Sequence, residues 1–212
     1  MQRKINVALS ALIHNTNITK ILLDQKIQNG SVVVDATMGN GKDTLFLCQR
    51  VLPKGKVYAF DIQEAALKNT LKLLKKHHFD PDKSSNILCI KDSHENFDQY
   101  ITEPVDVFMY NLGYLPGGDQ SIITSPETTI KSLNSAFSLL KEGGMISIIV
   151  YYGHPGGSKE KQELEKFLQV LSNQRYKIFQ GTMPYNDHCP PIIYIIEKLQ
   201  RKETIKLFKG GF

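Results

Sequence analysis

Short apolar runs recur along this chain, and each closes on a polar residue. Val32-Val33-Val34 ends in Asp35, Val57-Tyr58-Ala59-Phe60 ends in Asp61, and Ile87-Leu88-Cys89-Ile90 runs through Lys91 into Asp92-Ser93. Val105 to Tyr110 leads into Asn111, and Met145 to Tyr151 is almost unbroken in its apolar character. Continuous β-branched runs of this kind predict strands buried on both faces, as in a parallel sheet. Between them the period lengthens. Lys42 to Leu47 reads as a helix opening, His94 to Tyr100 as a short helix, and Pro126 to Leu140 as a longer one that places Leu133, Ala136, Phe137 and Leu140 on one face. Glu142-Gly143-Gly144 predicts the end of that helix, and a further helix is expected over Ser158 to Leu171. Two last strands, Arg175 to Gly181 and Ile192 to Glu197, can close as a hairpin. The expected fold is α/β: a seven-stranded, mostly parallel sheet with helices on both faces.

Composition sets the outer limits. The 212 residues suit one domain, with a core over about 30–197, a short N-terminal helical segment and a basic C-terminal tail carrying Lys198, Arg201, Lys202, Lys206 and Lys209. The three cysteines, Cys48, Cys89 and Cys189, are far apart and form no C-x-x-C pair, so neither a zinc site nor a disulfide framework is indicated. No stretch has the length of a membrane span and the start lacks a signal-peptide pattern, which predicts a soluble, cytoplasmic protein. A net charge of +5 with a pI near 9.0 permits a nucleic-acid substrate without requiring one.

The candidate chemistry lies at the strand ends. After Asp35 the chain enters Ala36-Thr37-Met38-Gly39-Asn40-Gly41, where glycine lets the backbone pass close to a ligand, and the following helix offers its N-terminus. A dinucleotide fingerprint needs a third glycine where Thr44 stands, which disfavours a nicotinamide oxidoreductase. The spacing Asp35-x-Thr37-x-Gly39-x-Gly41 instead resembles the first motif of Rossmann-like S-adenosylmethionine (SAM) methyltransferases of class I. Asp61 stands about twenty residues beyond the turn, where an acid that accepts from ribose hydroxyls belongs. Asp92 can accept from an adenine amine. A lone strand-terminal Asp is commonly a cap or turn residue, whereas three at one sheet edge point to a cofactor site.

At the end of the fourth strand, Asn111-Leu112-Gly113-Tyr114 resembles the Asn-Pro-Pro-Tyr pattern of amino-group methyltransferases. An amine attacking a sulfonium methyl must keep its lone pair in line with the breaking bond. Two acceptors, the Asn oxygen and a nearby backbone carbonyl, can fix the amine N–H bonds in that pose. His154, after the fifth strand, is a candidate to orient substrate or accept a proton, and Tyr114, Tyr151 and Tyr152 are candidates to stack on an extruded base.

Five segments together carry a more specific resemblance: Asp35 to Leu47, Phe60 to Gln63, Asp92 to Asn96, Asn111 to Asp119, and Gly153-His154-Pro155. They are similar to a bacterial family, formerly described as rRNA methylases, of tRNA 5-aminomethyl-2-thiouridine methyltransferases. The resemblance covers about 30–197. It implies methyl transfer from SAM to the primary amine of 5-aminomethyl-2-thiouridine at the wobble position of a tRNA anticodon stem-loop. On this chain it implies cofactor contacts from Asp35, Thr37, Gly39, Asn40, Gly41, Asp43 and Thr44, from Asp61, Ile62 and Gln63, and from Asp92, Ser93, His94 and Asn111. It implies catalytic roles for Asn111, Tyr114 and His154. The alternatives are methylation of rRNA or of a small-molecule amine; a non-catalytic binding module would be expected to lose Asn111 or the glycine turn. The sequence indicates no metal and leaves a homodimer open.

Overall fold

The computed structural model describes residues 15–171, 175–182 and 189–200. Helix α1 (Asn15–Asp24) precedes strand β1 (Val32–Asp35), helix α2 (Lys42–Val51), strand β2 (Lys56–Asp61), helix α3 (Glu64–Lys76) and strand β3 (Ile87–Lys91). A single-turn 3-10 segment, Pro81–Lys83, leads into β3, and a second, His94–Gln99, follows it. Strand β4 (Val105–Leu112), helix α4 (Pro126–Leu139), strand β5 (Leu140–Val150), helix α5 (Gly157–Leu171) and strands β6 (Tyr176–Thr182) and β7 (Ile192–Lys198) complete the order. The seven strands run β3-β2-β1-β4-β5-β7-β6, parallel except for the antiparallel β7 pairings with β5 and β6. The order reverses between β1 and β4, and at such a switch point a crevice opens at the carboxyl ends of the strands.

Alternation along each strand sorts the core into two layers. Val34, Phe60, Phe108 and Tyr110 face α4 and α5, where Leu133, Phe137, Leu164 and Leu168 meet them. Val33, Val57, Val107 and Met109 face the other way onto Leu47, Val51, Leu74 and Leu23 from α2, α3 and α1. Each fully buried side chain of this size contributes roughly 1.5–3 kcal/mol of burial free energy. The sheet edge that carries the polar residues is therefore held rigidly from both sides.

Two boundaries differ from the sequence reading. Strand β4 continues past Tyr110 to Leu112 because Asn111 and Leu112 pair with Ile149 and Val150 of β5, so Asn111 is a strand residue rather than a turn residue. Helix α4 stops at Leu139, and Leu140 already pairs with Val105 across a register shift, so Glu142-Gly143-Gly144 lies within an irregular strand start instead of ending the helix. Residues 201–212 lie outside the described residues, and so do Arg201, Lys202, Lys206 and Lys209 of the basic tail. Within reach, Lys198 donates to the carbonyls of Phe137 and Leu140 at 3.0 and 2.7 Å. Among the described residues no helix is long and apolar enough to cross a membrane.

Candidate active site

A cavity of about 560 Å³ lies over the carboxyl ends of β1 to β5. Its floor is the turn after β1. Gly39 has a φ of +48° and lines the cavity, while its N–H donates to Asp61 Oδ2 at 3.0 Å and so fastens the turn to the end of β2. Asp61 Oδ1 accepts from the Gln63 N–H at 2.9 Å. Each oxygen thus keeps a lone pair for a diol, and burial raises its carboxyl above the ordinary range against these backbone donors. Ile62, half exposed, and Gln63 also line the cavity beside it. At the end of β3, Asp92 accepts from the Tyr100 hydroxyl at 2.8 Å and the Asn96 amide at 3.0 Å, which hold its carboxyl below the ordinary range. Ser93 lines the cavity with it, although its hydroxyl accepts from Glu95 N as the cap of the short helix.

Three residues of the glycine turn stand behind the cavity wall instead of in it. Asp35 is fully buried, accepting from the Thr44 hydroxyl at 2.7 Å and from Thr37 N at 3.3 Å. Burial and the nearby Asp43 push its carboxyl up to about 7. Thr44, also fully buried, is its partner rather than a ligand group. Gly41 has a φ of +78°, and a Cβ there would come within 2.8 Å of Thr70 Cα, so this glycine is required by the contact of α2 with α3. These three hold the turn in shape; the sequence reading placed them against the cofactor. Asn40 does line the cavity, yet its amide is committed, donating to the Pro116 carbonyl at 3.0 Å and accepting from Asn69 at 2.8 Å. It clamps the glycine turn to the segment that follows β4.

That segment, residues 113–125, runs along the opposite rim. Tyr114 bridges to Ile123, and the Thr124 hydroxyl accepts from Gly113 N at 2.9 Å while donating to Glu160 Oε2 at 2.7 Å. Glu160 is buried and accepts from Thr129 as well, so α5 anchors the rim through one carboxylate, whose pKa burial raises.

Asn111 is fixed at two points. Its N–H donates to Thr37 Oγ1 at 2.7 Å, and its Nδ2 donates to Asp43 Oδ2 at 2.8 Å. Its Oδ1 is buried and has no partner, although Asn111 lines the cavity. The neighbouring carbonyls of Leu112 and Gly113 already accept from Tyr151 N and Thr124 N, at 3.0 and 2.9 Å. The second orphan is His94 Nε2. This buried ring lines the cavity, and because its Nδ1 faces the Ala36 carbonyl at 3.2 Å, which can only accept, Nε2 carries the lone pair. Burial lowers the His94 pKa and keeps the ring neutral.

The remaining candidates divide. Tyr114 lines the cavity, is 41% exposed and meets His154 edge-on at 5.8 Å. His154 is set back from the lining: Nδ1 faces the Pro155 carbonyl at 3.0 Å, and Nε2 is a buried lone pair without a partner. It meets Tyr114 and does not line the cavity itself. Tyr151 lines the cavity, whereas Tyr152 packs against the core with Lys161 over its ring at 4.9 Å. Sequence reading missed Lys20, which reaches the cavity from α1 and pairs with Asp43 Oδ1 at 2.6 Å. Nothing local in Asn15–Asp24 announces it, because its partner lies in another helix.

A seven-stranded sheet of this order, with a glycine turn, strand-end acids and an open Asn oxygen over one cavity, defines a Rossmann-like class I methyltransferase. The chain belongs to the family described as "Putative rRNA methylase", whose model matches residues 57–197. Among its relatives is an Arabidopsis thaliana protein named tRNA (mnm(5)s(2)U34)-methyltransferase, chloroplastic, 41% identical over 193 residues, which span 86% of this chain and 69% of that one. A crystal structure of a putative rRNA-methylase from Clostridium thermocellum is 41% identical, with a TM-score of 0.82 over 87% of this chain and 97% of that one. A Streptococcus mutans protein described as a putative methyltransferase, solved in complex with SAH, is 37% identical, with a TM-score of 0.76 over the same shares.

Proposed function

We propose that the protein methylates the primary amine of 5-aminomethyl-2-thiouridine at the tRNA wobble position, with SAM as the methyl donor. The observation that carries this reading is the open Oδ1 of Asn111, buried in the cavity wall while the rest of the residue is tied down. The 41% identity to a protein named as a tRNA (mnm(5)s(2)U34)-methyltransferase supports the same substrate. The residues present suit the cofactor: Asp61 has lone pairs for the ribose hydroxyls, Asp92 for the adenine amine, and Ile62 an apolar side chain against the base.

Bound SAM supplies an electrophilic sulfonium methyl. Asn111 Oδ1 accepts an N–H of the neutral substrate amine and thereby turns the amine lone pair along the line of attack. No strong base is needed to form the new bond, because a neutral amine is already nucleophilic, and the surplus proton leaves after transfer. Tyr114, on the rim with its ring exposed, offers a stacking face for a base extruded from the anticodon loop. The exposed Lys42 at the cavity wall favours an anionic backbone nearby. We place the reaction in the cytoplasm with its tRNA, to be checked by cell fractionation.

The test is nucleoside mass spectrometry after incubating purified protein and SAM with tRNA that carries 5-aminomethyl-2-thiouridine. The expected product is 5-methylaminomethyl-2-thiouridine, with rates that fall as salt rises. Methylation of a free small amine or of rRNA, with the aminomethylated tRNA untouched, would overturn the assignment.

A further inference from the structure

Asp43 lines the cavity, as a cofactor contact would, and each of its two oxygens also holds a partner within the protein. Oδ1 pairs with Lys20 at 2.6 Å and Oδ2 accepts from Asn111 Nδ2 at 2.8 Å, and the carboxylate is almost fully buried. The three side chains form a line from α1 through the first turn of α2 to the end of β4. A carboxylate has acceptors only, so the side of the Asn111 amide that faces it must be the NH₂. The oxygen is thereby turned to the other side, where it has no partner.

We propose that Asp43, itself held by Lys20, is a positioning residue that fixes which face of the Asn111 amide meets the substrate amine. The chemistry makes the choice of face decisive. With Oδ1 presented, the amide accepts an amine N–H and leaves the lone pair free. With NH₂ presented, the amide donates to that same lone pair and occupies the electrons needed for attack. An asparagine amide can turn over by rotation about its last side-chain bond, and only its neighbours distinguish the two states. Thr37 fixes the backbone of Asn111 and cannot set the amide. Among the contacts described, Asp43 alone does so.

The inference rests on the amine-methylation reading, so its test includes a readout independent of activity. Asp43→Asn is nearly isosteric and replaces a pure acceptor with a group that can face either side of the Asn111 amide. With SAM saturating, single-turnover methylation of aminomethylated tRNA should fall by about tenfold or more in Asp43→Asn, with cofactor affinity retained. In an Asn111→Ala background the same change should cost nothing further, since there is no amide left to orient. A wild-type rate in Asp43→Asn, or losses that multiply in the double variant, would overturn the proposal. Wild-type protein with no activity on this tRNA would instead refute the functional reading, and the amide pair would then be judged by NMR. The Asn111 side-chain NH₂ signals, assigned by their loss in Asn111→Ala, should exchange with solvent far more slowly than those of exposed asparagines. Exchange at the exposed rate contradicts the fixed amide whatever the activity.

Discussion

The two halves of the sheet's carboxyl edge are built on opposite plans. At β1, β2 and β3 the carboxylates are all held: Asp35 by Thr44 and Thr37, Asp61 by Gly39 and Gln63, Asp92 by Tyr100 and Asn96. At β4 the backbone and NH₂ of Asn111 are held, while its oxygen is left open. A site that binds a fixed cofactor benefits from acceptors already set in place by its own loops. A site that must align a reacting amine needs an acceptor reserved for it, and leaving a buried oxygen unpaired costs about 1–3 kcal/mol of stability. On the proposed function, binding and alignment fall to neighbouring strands of one edge, and they should separate under mutation.

The largest separation is expected at Asn111. Asn111→Ala should lower kcat by about a hundredfold or more with little change in SAM affinity, checked by steady-state kinetics beside calorimetry. Asp61→Ala should do the reverse, weakening SAM binding by about 1–3 kcal/mol, the loss of a charge-assisted hydrogen bond. Calorimetry that returns wild-type affinity for this variant would remove Asp61 from the ribose role. Tyr114→Ala should weaken tRNA binding by about 1–3 kcal/mol through lost stacking, leaving SAM binding as it was, measurable by filter binding. The effect at Asp35 concerns stability alone. Its folded carboxyl titrates near 7 against an ordinary 3.8, so between those values the native chain holds more protons than the unfolded one. Its contribution to stability therefore falls as pH rises from about 4 through about 7. Asp35→Asn mimics the neutral acid, so the wild-type melting temperature should drop relative to the variant over that window; a constant difference would contradict the buried-acid assignment.

The same contrast explains what was legible in the sequence. Strands β1 to β4, the acids that end β1 and β2 and the one that follows β3 can be read from local apolar runs, and local pattern also marked Asn111 and Tyr114. Tertiary contacts decided the rest. Gly39 and Gly41 look alike in sequence, yet one faces the cavity and the other faces Thr70 of α3. Asp35 and Asp61 end successive strands, but the first is sealed beneath Thr44 and the second reaches the cavity. Asn111 belongs to a strand because β5 pairs with it, and the site includes Lys20 because α1 packs near β5 and brings it to Asp43. Such pairings join residues far apart in the chain, where neither periodicity nor motif spacing carries information.

The division of labour is tested most directly by single-turnover methylation of aminomethylated tRNA by folded Asn111→Ala and Asp61→Ala, side by side, with SAM raised until each variant is saturated. Saturation should restore Asp61→Ala to near the wild-type rate, because its defect is in binding. Asn111→Ala should stay about a hundredfold slow, because no concentration of cofactor aligns the amine. Recovery of Asn111→Ala at saturating SAM, or a persistent rate defect in Asp61→Ala of the same size, would contradict the account.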